Sequence, residues 1–169
     1  SLFDRYSWMK YSPDRKYLVY VKKHNLYVKG NGEMGMDTTE VQLTTDGVRY
    51  YSYAHDGGTD EEGEVMSDIC WCPDSRHLYL REDERLLRDF WVINSLDDRP
   101  SLTTYRYEFP GDKNVTQNEL VIVDVIGRTV KKTDISKWPD QYINPLCVTK
   151  DSKYLFFERT KRTWDEVDL

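Results

Sequence analysis

The side chains that could carry out chemistry are few, and the cysteines are the first candidates for a metal site. Cys70 and Cys72 flank Trp71, so on a strand the two thiols would point the same way. Such a pair could supply half of a zinc site, but no histidine or second cysteine pair lies at ligand spacing. We therefore interpret both cysteines, and Cys147, as small buried hydrophobic residues, and we predict neither a metal nor a cofactor.

The composition narrows the classes of function. Hydrophobic residues make up 38% of the chain, aromatic residues 14%, and the net charge is −6. No apolar run approaches the roughly 20 residues of a membrane-spanning helix, and the aromatic content is too high for a disordered chain. The acidic balance argues against a nucleic-acid partner, which would need a basic face.

A sequence repeat is the strongest indication of the fold. Residues 11–20, 71–80 and 148–157 each place an aspartate after an apolar stretch and follow it with alternating aromatic and aliphatic positions. This pattern predicts a strand, a tight turn in which the aspartate hydrogen-bonds nearby backbone, and a second strand. The turn aspartates are Asp14, Asp74 and Asp151.

Further strands complete each repeat. The first copy continues with strands predicted at 25–28 and 40–44, and the second with strands at 119–123 and 128–132. In the third copy a third strand would begin at 163–167. Four antiparallel strands form one blade of a β-propeller. We therefore predict an all-β fold: a partial β-propeller with two four-stranded antiparallel blades, the start of a third, and an extra β-hairpin.

The uneven spacing of the repeats locates two insertions. The turn aspartates are 60 and 77 residues apart, so the second copy is the longer one. We predict a first blade at about 1–47, a second at about 67–142 and an incomplete third at 143–169. The insertions are an acidic segment at 48–66 and a hairpin at 84–118, and insertions on a regular scaffold usually carry its specific function.

The insertions and short motifs resemble the propeller of the dipeptidyl peptidase IV family. Residues 99–114 resemble its "Y-P-x-x-x-x-x-x-Y-P-x-x-G-x-x-N" stretch, which leads into an "x-L-x-V-x-D" strand as residues 119–124 do here. Residues 42–47 are similar to its "Q-L-T-x-D-G", and residues 71–75 to its "W-S-P-D-S/G". The resemblance covers nearly the whole chain.

The resemblance implies the N-terminal propeller of a serine peptidase of the prolyl oligopeptidase class. In that family a separate C-terminal α/β-hydrolase domain carries the serine, aspartate and histidine. This chain has no Gly-x-Ser-x-Gly motif, and its histidines have no serine in a matching context. We expect His24 in a turn and His77 half-buried in a strand, assign no catalytic residue, and expect the chain alone to be inactive.

The acidic insertion is the candidate substrate site that the resemblance implies. In the family a pair of propeller glutamates binds the free N-terminus of the substrate, because carboxylates accept hydrogen bonds from an ammonium group. Counting back from Pro73 places that pair at Asp60 and Glu61, with Glu62 beside them. The family's aromatic residue and three successive glutamates are absent, and a solvated acidic loop is the alternative interpretation.

Two neighbouring groups have alternative interpretations as well. Tyr50, Tyr51 and Tyr53 could line a substrate chamber, but we favour packing within a strand. Arg81 and Arg85 could meet a peptide carboxylate or carbonyl, but we favour solvation at the surface.

The leading hypothesis is the non-catalytic propeller portion of a dipeptidyl- or tripeptidyl-peptidase-like serine exopeptidase, which gates the active site and helps to bind the substrate N-terminus. Its expected partners are the C-terminal hydrolase domain of the same polypeptide, a peptide substrate and, through exposed edges, a second copy. Secretion or a periplasmic location follows from the resemblance. The alternatives are a protein-interaction propeller without peptidase activity and a complete small β-sandwich.

Overall fold

A computed structural model describes residues 10–54, 69–74, 76–96 and 98–169. In these ranges the chain forms thirteen strands and one short 3₁₀ turn at Gly32–Met34. The strands are β1 (Lys10–Tyr11), β2 (Tyr17–Lys22), β3 (Asn25–Gly30), β4 (Val41–Gln42), β5 (Ile69–Trp71), β6 (Arg76–Asp83), β7 (Arg88–Asn94), β8 (Ser101–Tyr107), β9 (Gln117–Asp124), β10 (Thr129–Thr133), β11 (Gln141–Val148), β12 (Leu155–Lys161) and β13 (Val167–Asp168).

The strands form antiparallel sheets, as the repeat predicts. The first sheet has the order β1-β2-β3-β4, the second β10-β9-β6-β5, and the third β11-β12-β13. Strands β6 and β9 pair along their full lengths although the hairpin insertion separates them in sequence. The hairpin itself is the two-stranded sheet β7-β8, which confirms the predicted extra β-hairpin.

The repeated aspartates make the turns that the sequence predicts. Asp14 accepts hydrogen bonds from the Ser12 hydroxyl at 2.6 Å and from the backbone N–H of Lys16 at 3.1 Å. Asp151 accepts the equivalent bonds from Thr149 at 2.5 Å and from Lys153 at 3.2 Å. Local bonds of this kind stabilise the reversal between two strands, so one sequence pattern gives the same hairpin twice.

The core lies between successive sheets and follows from the alternation of side chains along β9. Val121 and Val123 point toward the first sheet and pack in one buried cluster with Val19 and Val21. Leu120, one residue away, points to the other side and packs with Ile143 of the third sheet. Each buried valine or leucine contributes about 1.5–3 kcal/mol, so both faces of the second sheet hold the sheets together.

Several single-residue expectations have clear outcomes. Cys72 is buried, and burial raises the pKa of its thiol to about 11, but Cys70 is exposed, so its prediction as a buried hydrophobe is wrong. Cys70 lies on β5, which is an edge strand of the second sheet, whereas Cys72 lies in the turn after it, where its backbone N–H donates to the Arg76 carbonyl at 2.7 Å. His24 lies in the β2–β3 turn with φ 67°, as predicted. The backbone of His77 lies in β6, as predicted, but its side chain and that of Cys147 are outside the described part.

Candidate functional site

Arg81 is the buried centre of a partly exposed charged cluster between the first two sheets. It lies on β6 directly opposite Glu119 of β9, and its side chain is fully buried. Its Nη2 donates to Glu119 Oε2 at 2.7 Å and to Asp46 Oδ2 at 3.0 Å. Asp46 belongs to residues 44–54, the segment after β4, which we call the connector. Arg81 therefore joins two strands of the second sheet to the connector.

Two tyrosine rings of the connector enclose the guanidinium group. The guanidinium carbon lies 3.5 Å from the ring centroid of Tyr51 and 4.3 Å from that of Tyr53. Within the described residues, Nε and Nη1 of Arg81 have no hydrogen-bond acceptor. The aromatic faces therefore contact the part of the guanidinium group that has no carboxylate partner. Such a cation–π interaction is stronger when the cation and the ring are shielded from water.

A second cation balances the charges of the cluster. Lys132 Nζ lies 3.3 Å from Asp46 Oδ2 and 3.4 Å from Glu119 Oε2, and it donates to the Tyr51 hydroxyl at 2.8 Å. The Tyr51 hydroxyl in turn donates to Glu119 Oε2 at 2.6 Å. Two cations thus face two carboxylates, which is what a buried arginine requires if it is to keep its charge. We call these residues, with Tyr53 and Arg81, the junction cluster.

The pKa values of the cluster favour the charged forms. Burial alone would raise the pKa of Asp46, but the hydrogen bonds and charges of Arg81 and Lys132 outweigh it and lower that pKa. Burial would also raise the pKa of Glu119, but the hydrogen bonds from Tyr51 and Arg81 outweigh burial, so that pKa is lowered as well. Burial is the main cause that raises the pKa of Tyr53. The two carboxylates are therefore ionised and the Tyr53 hydroxyl is neutral at pH 7.

Backbone contacts hold the connector against the β2–β3 turn. Tyr53 N–H donates to the carbonyl of His24 at 3.1 Å, and Gly47 N–H donates to Asn25 Oδ1 at 2.8 Å. A Cβ atom at Gly47 would lie 2.0 Å from the His24 carbonyl oxygen, so only glycine fits there. The connector is consequently fixed to the first sheet by its backbone and to the second by its side chains.

The connector also contacts the base of the hairpin. The centroid of its Tyr50 ring lies 5.0 Å from the guanidinium carbon of Arg49 and 4.4 Å from that of Arg106 on β8. The backbone N–H of Glu84 donates to the Tyr50 carbonyl at 2.8 Å, and Arg106 Nε lies 3.4 Å from Asp89 Oδ1. The connector thus contacts both sheets and, through Glu84 and Arg106, both ends of the hairpin.

Beyond its base, the hairpin exposes apolar side chains on both faces. Trp91, Ile93 and Leu102 share one face and are 60%, 68% and 61% exposed. On the other side Phe90 and Tyr107 pack with Phe109 in an aromatic group, with ring centroids 5.1–5.7 Å apart. We call β7 and β8 the arm. Contiguous exposed apolar area of this kind is typical of an interaction surface.

The structure supports some of the sequence-based interpretations of candidate site residues and contradicts others. Asp60, Glu61 and Glu62 lie outside the described residues. The prediction that Arg81 is solvated at the surface is wrong. Its side chain is fully buried, and two carboxylates and two aromatic rings take the place of water around it. Arg85 keeps about half of its side-chain area exposed, pairs with Asp83 at 2.6 Å, and lies 3.9 Å from the Tyr51 ring centroid.

The interpretation of the tyrosines also needs correction. Tyr51 and Tyr53 are buried, but they lie in the connector and not in a strand, so strand packing is wrong. Sequence reasoning missed Asp46, Glu119 and Lys132. One of them carried a usable signal: Glu119, like Arg81, interrupts an otherwise apolar alternation, and the two lie on strands predicted to pair, which places opposite charges near each other.

No further site of other classes is evident in the described ranges. There, no group of three or more His, Cys, Asp or Glu side chains could hold a metal ion. The same residues include no helix with the length and hydrophobicity to cross a membrane.

Successive antiparallel sheets, packed face to face and joined by a connector from one sheet to the next, define a β-propeller-type domain. The chain belongs to the family of the dipeptidyl peptidase IV (DPP IV) N-terminal region, whose family model matches residues 4–169. No curated protein matches the chain.

The solved structures that share this fold include two of dipeptidyl peptidases. Dipeptidyl peptidase 4 of Porphyromonas gingivalis is similar with a TM-score of 0.71 and 24% identity, over 94% of this chain and 22% of that one. A "putative dipeptidyl aminopeptidase IV" of Bacteroides ovatus is similar with a TM-score of 0.66 and 16% identity, over 91% of this chain and 20% of that one. This chain therefore spans about a fifth of their length.

Proposed function

We propose that this chain is the non-catalytic propeller portion of a dipeptidyl- or tripeptidyl-peptidase-like serine exopeptidase. The observation that carries the proposal is the family match over residues 4–169. In the proposed whole protein, a C-terminal α/β-hydrolase domain of the same polypeptide supplies the catalytic residues, and the propeller gates access to them. A secreted or periplasmic location belongs to the same proposal.

The proposed division of the propeller follows the repeat. The first blade comprises about 1–47, the second about 67–142 with the hairpin insertion 84–118, and 143–169 begin a third. The acidic insertion 48–66 joins the first two. Sheet boundaries and core packing support this division, because each stacked sheet starts from one copy of the repeat.

The acidic segment is the proposed binding site for the free N-terminus of the peptide. Carboxylates of Asp60, Glu61 and Glu62 would accept hydrogen bonds from the ammonium group and so fix how many residues precede the cleaved bond. The connector supports this proposal, because it packs against both sheets up to Ala54, which belongs to the buried core cluster and lies six residues before Asp60 in sequence.

Kinetics of the full-length enzyme test the proposal. Replacing Asp60 and Glu61 together with alanine should raise KM for a free-amine dipeptidyl chromogenic substrate about tenfold or more, because hydrogen bonds to a charged group are lost. The value of kcat should change little, since the nucleophile is elsewhere. The matched control is the exposed acidic pair Asp165 and Glu166, whose replacement with alanine should leave KM unchanged. Equal KM values for wild type and the Asp60/Glu61 variant would exclude amine binding by this pair.

A second candidate function is protein interaction, and the exposed arm favours it. Its apolar face, with Trp91, Ile93 and Leu102, could associate with a second copy to form a homodimer, or with another protein in a propeller that has no peptidase partner. The two candidates are distinguished by the gene itself: a downstream Gly-x-Ser-x-Gly motif supports the peptidase, and an open reading frame that ends after the last blade supports the interaction module.

A further inference from the structure

We propose that Tyr50 and Arg106 form a joint that fixes the orientation of the arm relative to the second sheet. The arm is a separate two-stranded sheet, and all seven residues of β7 are exposed. In β8 six of the seven residues are exposed, and the exception is Arg106. The contacts that orient the arm must therefore be sought at its base, where Arg106 reaches the connector.

The side chain of Arg106 joins the two strands of the arm to the connector. Its guanidinium carbon lies 4.4 Å from the centroid of the Tyr50 ring. Its Nη1 donates to the backbone carbonyl of Leu87, the buried residue that precedes β7. Its Nε lies 3.4 Å from Oδ1 of Asp89, its partner across the hairpin. One side chain on β8 thus holds the start of β7 and contacts the connector.

Tyr50 holds the other end of the hairpin through its backbone. Its carbonyl accepts a hydrogen bond from the N–H of Glu84 at 2.8 Å, in the turn that leads from β6 into β7. The φ of Tyr50 is 64°, a left-handed conformation that residues other than glycine seldom adopt. Such a conformation persists where surrounding contacts determine it, and it often marks a functional position. Here the carbonyl and the ring of one residue reach both ends of the hairpin.

A second contact between a cation and a ring restrains rotation about this joint. Arg85 lies in the turn after β6, and its guanidinium carbon is 3.9 Å from the centroid of the Tyr51 ring. Its Nε and Nη2 donate to Asp83 at 2.8 and 2.6 Å, which fixes the plane of the guanidinium group. Arg85 and Arg106 therefore contact consecutive tyrosine rings of the connector from opposite ends of the hairpin.

A fixed orientation matters because the arm exposes an apolar surface. A surface that is held in one orientation loses less conformational entropy on binding than one that swings freely. The inference goes beyond the proposed function, since none of these residues belongs to the proposed amine-binding segment. Its test accordingly needs no measurement of peptidase activity.

The test measures a distance across the joint in the full-length protein. Nitroxide labels are attached through introduced keto amino acids at Ser95, near the end of the arm, and at Lys131 on β10. Dilution with unlabelled protein removes any contribution from a second copy, and double electron–electron resonance gives the distribution of distances. We expect one narrow distribution in wild type. In Arg106→Ala it should be about twofold wider or more, because the contact with Tyr50 and the bond to Leu87 are lost.

Two further variants sharpen the comparison. The matched control is Arg88→Ala, the same exchange at an exposed arginine of β7, which should keep the narrow distribution. Tyr50→Ala removes the ring but keeps the carbonyl that bonds Glu84, and it should widen the distribution as Arg106→Ala does. If the two residues act as one joint, the double variant should be no wider than Arg106→Ala alone.

Three results would each overturn the inference. A broad distribution in wild type would mean that the arm moves freely. A narrow distribution in folded Arg106→Ala would mean that this side chain does not orient the arm, and equal widening in Arg88→Ala would mean that the effect is not specific to the joint. If circular dichroism shows that Arg106→Ala does not fold, Tyr50→Ala takes its place, and a wild-type distribution in that variant contradicts the joint.

Discussion

The connector and the arm both carry several tyrosines, yet Tyr51 and Tyr53 of the connector are buried whereas the tyrosines of the arm are exposed. In the connector, Tyr51 and Tyr53 lie between two sheets and enclose Arg81. In the arm, Tyr105 and Tyr107 stand on a two-stranded sheet and remain about half exposed. Side-chain type therefore does not decide burial here. A facing layer does, because an aromatic ring and a cation lose water only when a second surface covers them.

The largest expected effect of this difference is at Arg81. Arg81→Met removes the hydrogen bonds of the guanidinium group to Asp46 and Glu119, which keep Lys132 and the hydroxyls of Tyr53 and Tyr51 as partners, so the free energy of unfolding should fall by about 1.5–3 kcal/mol. Arg85→Met is the control, because that side chain is about half exposed and its ion pair with Asp83 should contribute less than about 1 kcal/mol. Urea unfolding followed by tryptophan fluorescence measures both. Equal losses of unfolding free energy in the two variants would mean that the burial of Arg81 does not determine how much it contributes to stability.

The next effect concerns the backbone of the connector. Gly47→Ala would place a methyl group against the His24 carbonyl, and relief of that clash should cost about 1–3 kcal/mol in unfolding free energy. Gly35→Ala is the control. A Cβ there meets no atom within 4 Å, so only the positive φ disfavours alanine, and the free energy of unfolding should fall by about 1 kcal/mol. The same unfolding experiment compares them, and a Gly47→Ala protein as stable as wild type would show that the connector is free to move.

A smaller effect should appear with pH. The pKa values of Asp46 and Glu119 are lowered below their ordinary values of 3.8 and 4.5, so both carboxylates stabilise the fold when ionised. That stabilisation is fully present above the ordinary values and is lost as the pH falls through the lowered ones. Unfolding midpoints measured between pH 6 and pH 3 should therefore decline less steeply in Arg81→Met than in wild type, and parallel declines would contradict this origin.

The smallest effect on stability should come from the arm. Replacing Trp91, Ile93 and Leu102 with serine should change the free energy of unfolding by about 0.5 kcal/mol or less per site, because each is already exposed. If the arm mediates association, sedimentation velocity should show loss of the dimer. Ile126→Ser, at an exposed turn 63% accessible, is the control that should leave association intact. If the protein with these serine substitutions still dimerises, this face of the arm is not the dimer interface.

The sequence was most informative where one local rule decides the structure. Turn aspartates, alternating strands and the extra hairpin follow from short patterns, and the structure has them. The third strand of the last copy was predicted at 163–167, but β13 is Val167–Asp168, because residues 163–165 form a turn with Trp164 at φ 60°.

The junction cluster was beyond such rules, because its members come from four separate segments. Arg81 and Glu119 face each other on β6 and β9, Lys132 lies on β10, and the remaining members belong to the connector, which no periodicity describes. Its charge led us to predict that Arg81 is solvated at the surface. It is buried because the neighbouring sheets and the connector bring carboxylates and aromatic rings around it, and the sequence alone does not show that arrangement. Sequence alone likewise could not tell the exposed Cys70 from the buried Cys72, since a sequence pattern does not show that β5 is an edge strand.

The most direct measurement is the structure of the full-length enzyme with a dipeptide product or substrate-like inhibitor bound. We expect the free ammonium group within hydrogen-bond distance, about 2.7–3.2 Å, of carboxylate oxygens of Asp60 and Glu61, with Arg81 still between Tyr51 and Tyr53. An ammonium group held by residues outside the acidic segment would contradict the proposed role of this propeller in substrate recognition.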